Sequence, residues 1–127
     1  MTISCTSLIK KHLDLFHQAT HPKFLQECKN NIITQDHFSQ WLVQNYHFIH
    51  HLADFQQSLL LDCPKSDKAF IQELNLGLEE EKPWFKNLLS SRNITPEHFE
   101  LNPVWREYAE VLKANSRLNY TLKILAI

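Results

Sequence analysis

An all-α fold is what this sequence predicts, and three observations predict it. The 127 residues include one glycine, Gly77. That nearly excludes tight β-hairpins, phosphate-cradling loops and dinucleotide fingerprints, which need φ > 0 or a bare backbone. Runs of β-branched residues are few. Two long stretches space their apolar residues 4-3-4-3-4, which is one face of a helix.

The helices follow in order from their breakers and caps. The first runs from about Thr2 to Ala19 and stops at His21-Pro22, because a residue before proline avoids the helical region. A short helix covers roughly Pro22 to Lys29. Thr34 caps a long third helix from about Gln35 to Leu61. Cys63-Pro64 ends that region, and Ser66 or Asp67 caps a fourth helix continuing toward Leu89. Thr95-Pro96-Glu97 opens a single turn. Asn102-Pro103 supplies a cap and a proline at the first helical position of the next helix. A last segment starts near Arg117. Residues 1–127 read as a single domain, long enough to bury a core.

Composition narrows the function classes. Hydrophobic residues are 43% of the chain, ordinary for a soluble globule. The formal net charge of −1 offers no basic field to nucleic acid. No apolar run approaches the ~20 residues of a membrane helix. The start, MTISCTSLIKKHLDLF, places lysines inside an amphipathic pattern and is no secretory leader. Cys5, Cys28 and Cys63 form no CxxC pair, and this odd count fits reduced thiols in the cytoplasm.

The third and fourth helices hold the candidate chemistry. In the third, Trp41, Asn45, Phe48, Leu52, Phe55 and Leu59 share one row, and Asn45 is its polar intruder. Phe38, Leu42, Tyr46, Ile49 and Ala53 widen the stripe. Gln40, Gln44, His47, His51, Asp54 and Ser58 read as the solvent side. In the fourth, Phe70, Leu74, Gly77, Glu81, Trp84 and Leu88 repeat the spacing, with Glu81 as the intruder. Pro83 should kink that helix and could rotate Glu81 off the row. Buried polar groups should be paired or useful. Asn45 and Glu81 facing an aromatic hollow of Trp41, Phe48 and Trp84 would hold a flat, hydrogen-bonding ligand, with Glu81 moving protons. Two satisfied core residues linking the helices is the plainer alternative.

Other clusters carry less. His47 and His51 are one turn apart, as metal ligands can be, but no third ligand follows at a suitable spacing, so no metal is expected. His12, His17 and His21 by themselves do not indicate haem. No cysteine has an expected base beside it. Trp105, Tyr108 and Leu112 form a stripe that suits core packing.

Three blocks in order resemble the TenA (thiaminase II) family. HP-x-F at His21-Pro22 precedes F-x-x-W-L-x-Q-[DN]-Y-x-F, carried by Phe38, Trp41, Leu42, Gln44, Tyr46 and Phe48. Glu81 with Trp84-Phe85 resembles that family's E-x-x-W-F segment. Pro103 through Tyr108 resembles its N/P-x-x-x-x-Y stretch. The resemblance covers nearly all of the chain from His21 on.

That resemblance implies a haem-oxygenase-like helical bundle, usually assembled as a homotetramer. It implies thiamin salvage without a cofactor: hydrolysis of an aminomethyl- or formylaminomethyl-pyrimidine, or cleavage of thiamin. The family's pyrimidine-binding aspartate falls on Asn45, a neighbouring aromatic on Phe48 and a stacking tyrosine on Tyr108. Glu81 would transfer protons, while Phe48 and Tyr108 would sandwich the ring. Asparagine at 45 departs from the family, because an amide cannot supply the anionic charge of a carboxylate. The family's proteins are close to twice this length. Their cysteine, in the branch that has one, and a catalytic glutamate lie beyond the stretch matched here, and the matched blocks look more like the branch lacking that cysteine. The chain is therefore read as the first portion of such a bundle, without the C-terminal helices. Half a bundle should leave apolar faces of the third, fourth and last helices uncovered and promote self-association. The alternative reading is a non-catalytic binding or interaction module of the same fold.

Overall fold

The computed structural model describes residues 4–126, and among them lie seven α-helices and no strand. These are α1 (Cys5–Lys11), α2 (Leu13–Thr20), α3 (Lys23–Lys29), α4 (Gln35–Leu59), α5 (Lys68–Ser91), α6 (Pro103–Asn115) and α7 (Tyr120–Ala126). A 3-10 turn spans Pro96–His98. The all-α expectation holds. The described residues divide into two compact units, one ending at Phe38 and the other beginning at Ser39.

In the first unit, Ser4 and Ser7 form a reciprocal capping box that starts α1. The single helix expected over Thr2 to Ala19 is two, because His12 at φ −121° and ψ 39° ends α1 and opens α2. Among the described residues no side-chain contact explains that break, and Thr2 lies outside them. Pro22, at φ −65° and ψ 150°, stands ahead of α3 as its cap. α3 exits through Asn31, whose φ of 57° is left-handed, and the Ile32 N–H returns to the Glu27 carbonyl at 2.9 Å. Thr34 caps α4 as expected, its Oγ1 accepting from the His37 N–H at 3.1 Å.

The second unit holds the core. Phe48, Phe55 and Leu59 of α4 cluster with Ile71 of α5 and with Ala109 and Leu112 of α6. Leu52, Trp105 and Tyr120 pack around them. The back of α4 is less wet than expected. The Gln44 side chain donates to the Glu100 carbonyl at 3.0 Å and accepts from the Asn102 N–H at 2.7 Å. His47 Nε2 meets the Pro96 carbonyl at 2.8 Å, and since a carbonyl only accepts, that nitrogen carries the proton. Gln44, His47 and Ser58 are half-buried, so only Gln40, His51 and Asp54 of that row face solvent. α4 is covered on two sides because the 94–102 segment folds back along it.

α5 corrects the expected seam. Its buried residues are Ile71, Asn75, Leu78, Phe85 and Leu89, one position on from the row read in the sequence. One residue is about 100° of helical rotation. Phe70 and Trp84 are consequently 61% and 53% exposed. Pro83 sits inside the helix without ending it. The carbonyl deprived of its partner belongs to Glu79, an exposed residue that water can serve. α5 leaves through Asn93, again at φ 57°, with Ile94 N–H bonded to the Leu89 carbonyl at 3.0 Å. Asparagine does at both helix exits what glycine usually does.

α6 begins on its expected cap, Asn102 Oδ1 accepting from the Trp105 N–H at 3.0 Å. α7 is tied to the α4–α5 connection. Lys123 is 2% exposed, and its Nζ donates to the Ser58 carbonyl at 2.7 Å and approaches Asp62 at 3.4 Å. Asp62 also accepts from the Tyr120 N–H at 2.8 Å, and the Tyr120 hydroxyl donates to Asp67 at 2.9 Å. That last bond, helped by desolvation, holds the phenol above its ordinary 10.0. The expected uncovered faces are present on α5 and α7, where Phe70, Trp84, Leu122 and Ile124 are exposed, but not on α4. No described helix is long and apolar enough to cross a membrane.

Candidate functional site

A hollow of about 300 Å³ opens among α4, α5 and α6. α4 contributes Asn45, Phe48, Ile49 and Leu52, α5 contributes Leu78, Glu81 and Phe85, and α6 contributes Trp105 and Tyr108. Four of the six residues singled out from the sequence thus share one cavity: Asn45, Glu81, Phe48 and Tyr108. Helical spacing explains the convergence. Asn45, Phe48 and Leu52 lie on one face of α4, and Trp105 and Tyr108 are one turn apart on α6.

The two polar groups differ in setting. Asn45 is half-buried, and its Nδ2 donates to the Trp41 carbonyl at 2.8 Å. A carbonyl cannot donate, so this contact fixes the amide's orientation and leaves Oδ1 as its acceptor. Glu81 is exposed rather than buried. The rotated seam of α5 moves it to the rim, where water screens its charge. The hollow therefore sets a half-buried amide oxygen and a carboxylate against an aromatic wall.

That wall is already stacked. The Phe48 and Tyr108 rings lie 5.1 Å apart at 18°, and Trp105 lies 4.8 Å from Phe48. A ring held between two others needs about 7 Å from centroid to centroid, the upper end of aromatic contact distances. The expected sandwich is thus closed in this conformation. A flat ligand would rest on an outer face of the pair or separate it.

Trp41 and Trp84 stand outside the hollow. Trp41 packs toward Phe85 at 6.1 Å and contributes its carbonyl, not its ring, to Asn45. Trp84 lies edge-on to Phe85 at 4.9 Å on the exposed side of α5. Phe85 and Trp105 line the hollow and were missed as site residues. Trp105 was legible as the residue one turn before Tyr108, while Phe85 required the true phase of α5.

These features define a class: an all-helical chain of the TenA, haem-oxygenase-like fold. The X-ray structure of a TenA homologue from Pyrococcus furiosus matches it with a TM-score of 0.80 at 24% identity, over 89% of this chain and 54% of that one. A probable bifunctional TENA-E protein from Glycine max is 34% identical over 83 residues, which are 61% of this chain and 36% of the relative. No family profile matches the chain. The structural match shows the fold, and the chain spans little more than half of one of these proteins and about a third of the other.

Proposed function

We propose that the chain is part of a TenA-type thiamin-salvage protein whose hollow takes an aminomethyl- or formylaminomethyl-pyrimidine. The observation that supports this is the gathering of Asn45, Glu81, Phe48 and Tyr108 around one cavity of ring size. The pyrimidine stacks on the Phe48–Tyr108 pair, and Asn45 Oδ1 accepts from its amino group. Hydrolysis breaks a C–N bond and forms a C–O bond from water. With the aminomethyl compound, Glu81 takes the water proton and returns one to the departing nitrogen, which leaves as ammonia. No cofactor takes part. The protein works in the cytoplasm, which its three free thiols support, and associates with copies of itself, which its exposed apolar side chains support.

The test is ammonia release from an aminomethylpyrimidine by the native chain and by Glu81→Gln. A loss of about 100-fold or more is expected for general acid–base work. Equal rates would remove Glu81 from the mechanism. A second reading, binding without turnover, is favoured by the exposure of Glu81, since a carboxylate screened by water is a weak proton shuttle. Calorimetry separates the two: pyrimidine binding without ammonia supports the second reading.

A further inference from the structure

Gln44 stands on α4 directly before Asn45 and one turn ahead of Phe48, and its amide is committed to another segment. Nε2 donates to the Glu100 carbonyl at 3.0 Å, and Oε1 accepts from the Asn102 N–H at 2.7 Å. Using both ends of one planar amide fixes the direction of the 100–102 backbone as well as its distance from α4. Asn102 then caps α6 through the Trp105 N–H at 3.0 Å. Polar contacts therefore run unbroken from Gln44 to the helix that carries Trp105 and Tyr108.

The neighbouring contacts act differently. His47 holds Pro96, at the far end of the 94–102 segment. Arg106 donates to the Leu101 carbonyl at 3.0 Å and pairs with Glu100 at 3.3 Å, but Arg106 belongs to α6 and moves with it. Leu101 and Trp105 pack on the core, and such packing is non-directional, so it permits tilting. Tyr108 lies about 9 Å along α6 from Asn102. A tilt of about 10° at the cap would carry it about 1.5 Å, which is most of the gap between a stacked pair at 5.1 Å and one parted for a guest.

We propose that Gln44 is a positioning residue of the site. By clamping the start of α6 it keeps the Phe48–Tyr108 pair closed, so that the two rings offer one platform to a flat ligand. Gln44 does not line the hollow, and it acts through Tyr108. That the ligand is a pyrimidine rests on the proposed function, while the clamp itself does not.

The test combines calorimetry with an aminomethylpyrimidine and near-ultraviolet circular dichroism, on the native chain, Gln44→Met, Tyr108→Leu and the double variant. Methionine is close to glutamine in length and lacks both polar atoms. Gln44→Met should weaken binding about tenfold, the worth of about one hydrogen bond. Helix content in the far ultraviolet should stay unchanged, because Glu100 and Asn102 are exposed and water can serve their backbone groups. The near-ultraviolet spectrum should move in the direction in which Tyr108→Leu moves it. Adding Gln44→Met to Tyr108→Leu should cost little more, because the ring on which the clamp acts is already gone. Equal or tighter binding by Gln44→Met, additive losses in the double variant, or an unchanged near-ultraviolet spectrum would overturn the proposal. If the native chain binds no pyrimidine, the proposed function falls and the near-ultraviolet comparison alone decides the clamp.

Discussion

α4 and α5 are nearly equal in length and carry the same 4-3-4-3-4 spacing, yet they bury different things. α4 buries Phe48, Phe55 and Leu59 from the row its sequence displays. α5 buries the row one residue further on, and leaves Phe70 and Trp84 outside. The difference lies in the neighbours. α4 is enclosed by α5 and α6 in front and by the 94–102 segment behind, so its apolar residues have one inside to face. α5 stands at the edge of its unit with two apolar rows, and the described residues cover only one. Spacing fixes the period of a helix, while neighbours fix its phase.

The largest effect should separate the two helices at one aromatic each. Phe55→Ala empties a core position that is 2% exposed and should cost about 3–5 kcal/mol. Phe70→Ala, at 61% exposure, should stay within about 0.5 kcal/mol. Chemical denaturation measures both, and similar costs would mean that the α5 seam is buried after all. Pro83→Ala comes next. Restoring an exposed interior N–H to α5 should raise stability by about 1 kcal/mol or more. A fall would show that the proline sets a bend the core requires.

The smallest effect concerns the connection between the two helices, to which α7 is tied. The Tyr120 hydroxyl donates to Asp67, and the phenol is raised by that bond. A raised value stabilises the fold fully below the unfolded phenol's ~10 and is lost as pH climbs through the folded value. Tyr120→Phe should therefore flatten the alkaline limb of a stability–pH curve and leave its shape at neutral pH unchanged. An alkaline limb identical to the native one would detach Asp67 from Tyr120.

Caps and breakers were the most legible features. Thr34, Asn102 and Pro22 act locally, and each does what its side chain dictates. Asn45, Phe48 and Tyr108 were legible because α4 and α6 lie in the phase their patterns imply. Glu81 borders the hollow but is exposed rather than buried, and Phe85, not Trp84, lines it. Both differences come from one rotation of α5, which no local signal encodes because its two apolar rows are alike. The hydrogen bonds of Gln44 and His47 escaped for a related reason. Their partners are backbone carbonyls and an N–H some 50 residues away, which carry no side-chain signature.

The contact between Phe48 and Tyr108 would compete with any ring offered to the hollow. A ring that slips between them must first undo an aromatic contact worth about 0.5–1.5 kcal/mol. Apparent affinity then falls with the fraction of molecules whose rings are parted, up to about tenfold for the stronger contact. Shape selection follows: a flat heterocycle replaces one lost interface with two, whereas a puckered or aliphatic molecule recovers neither.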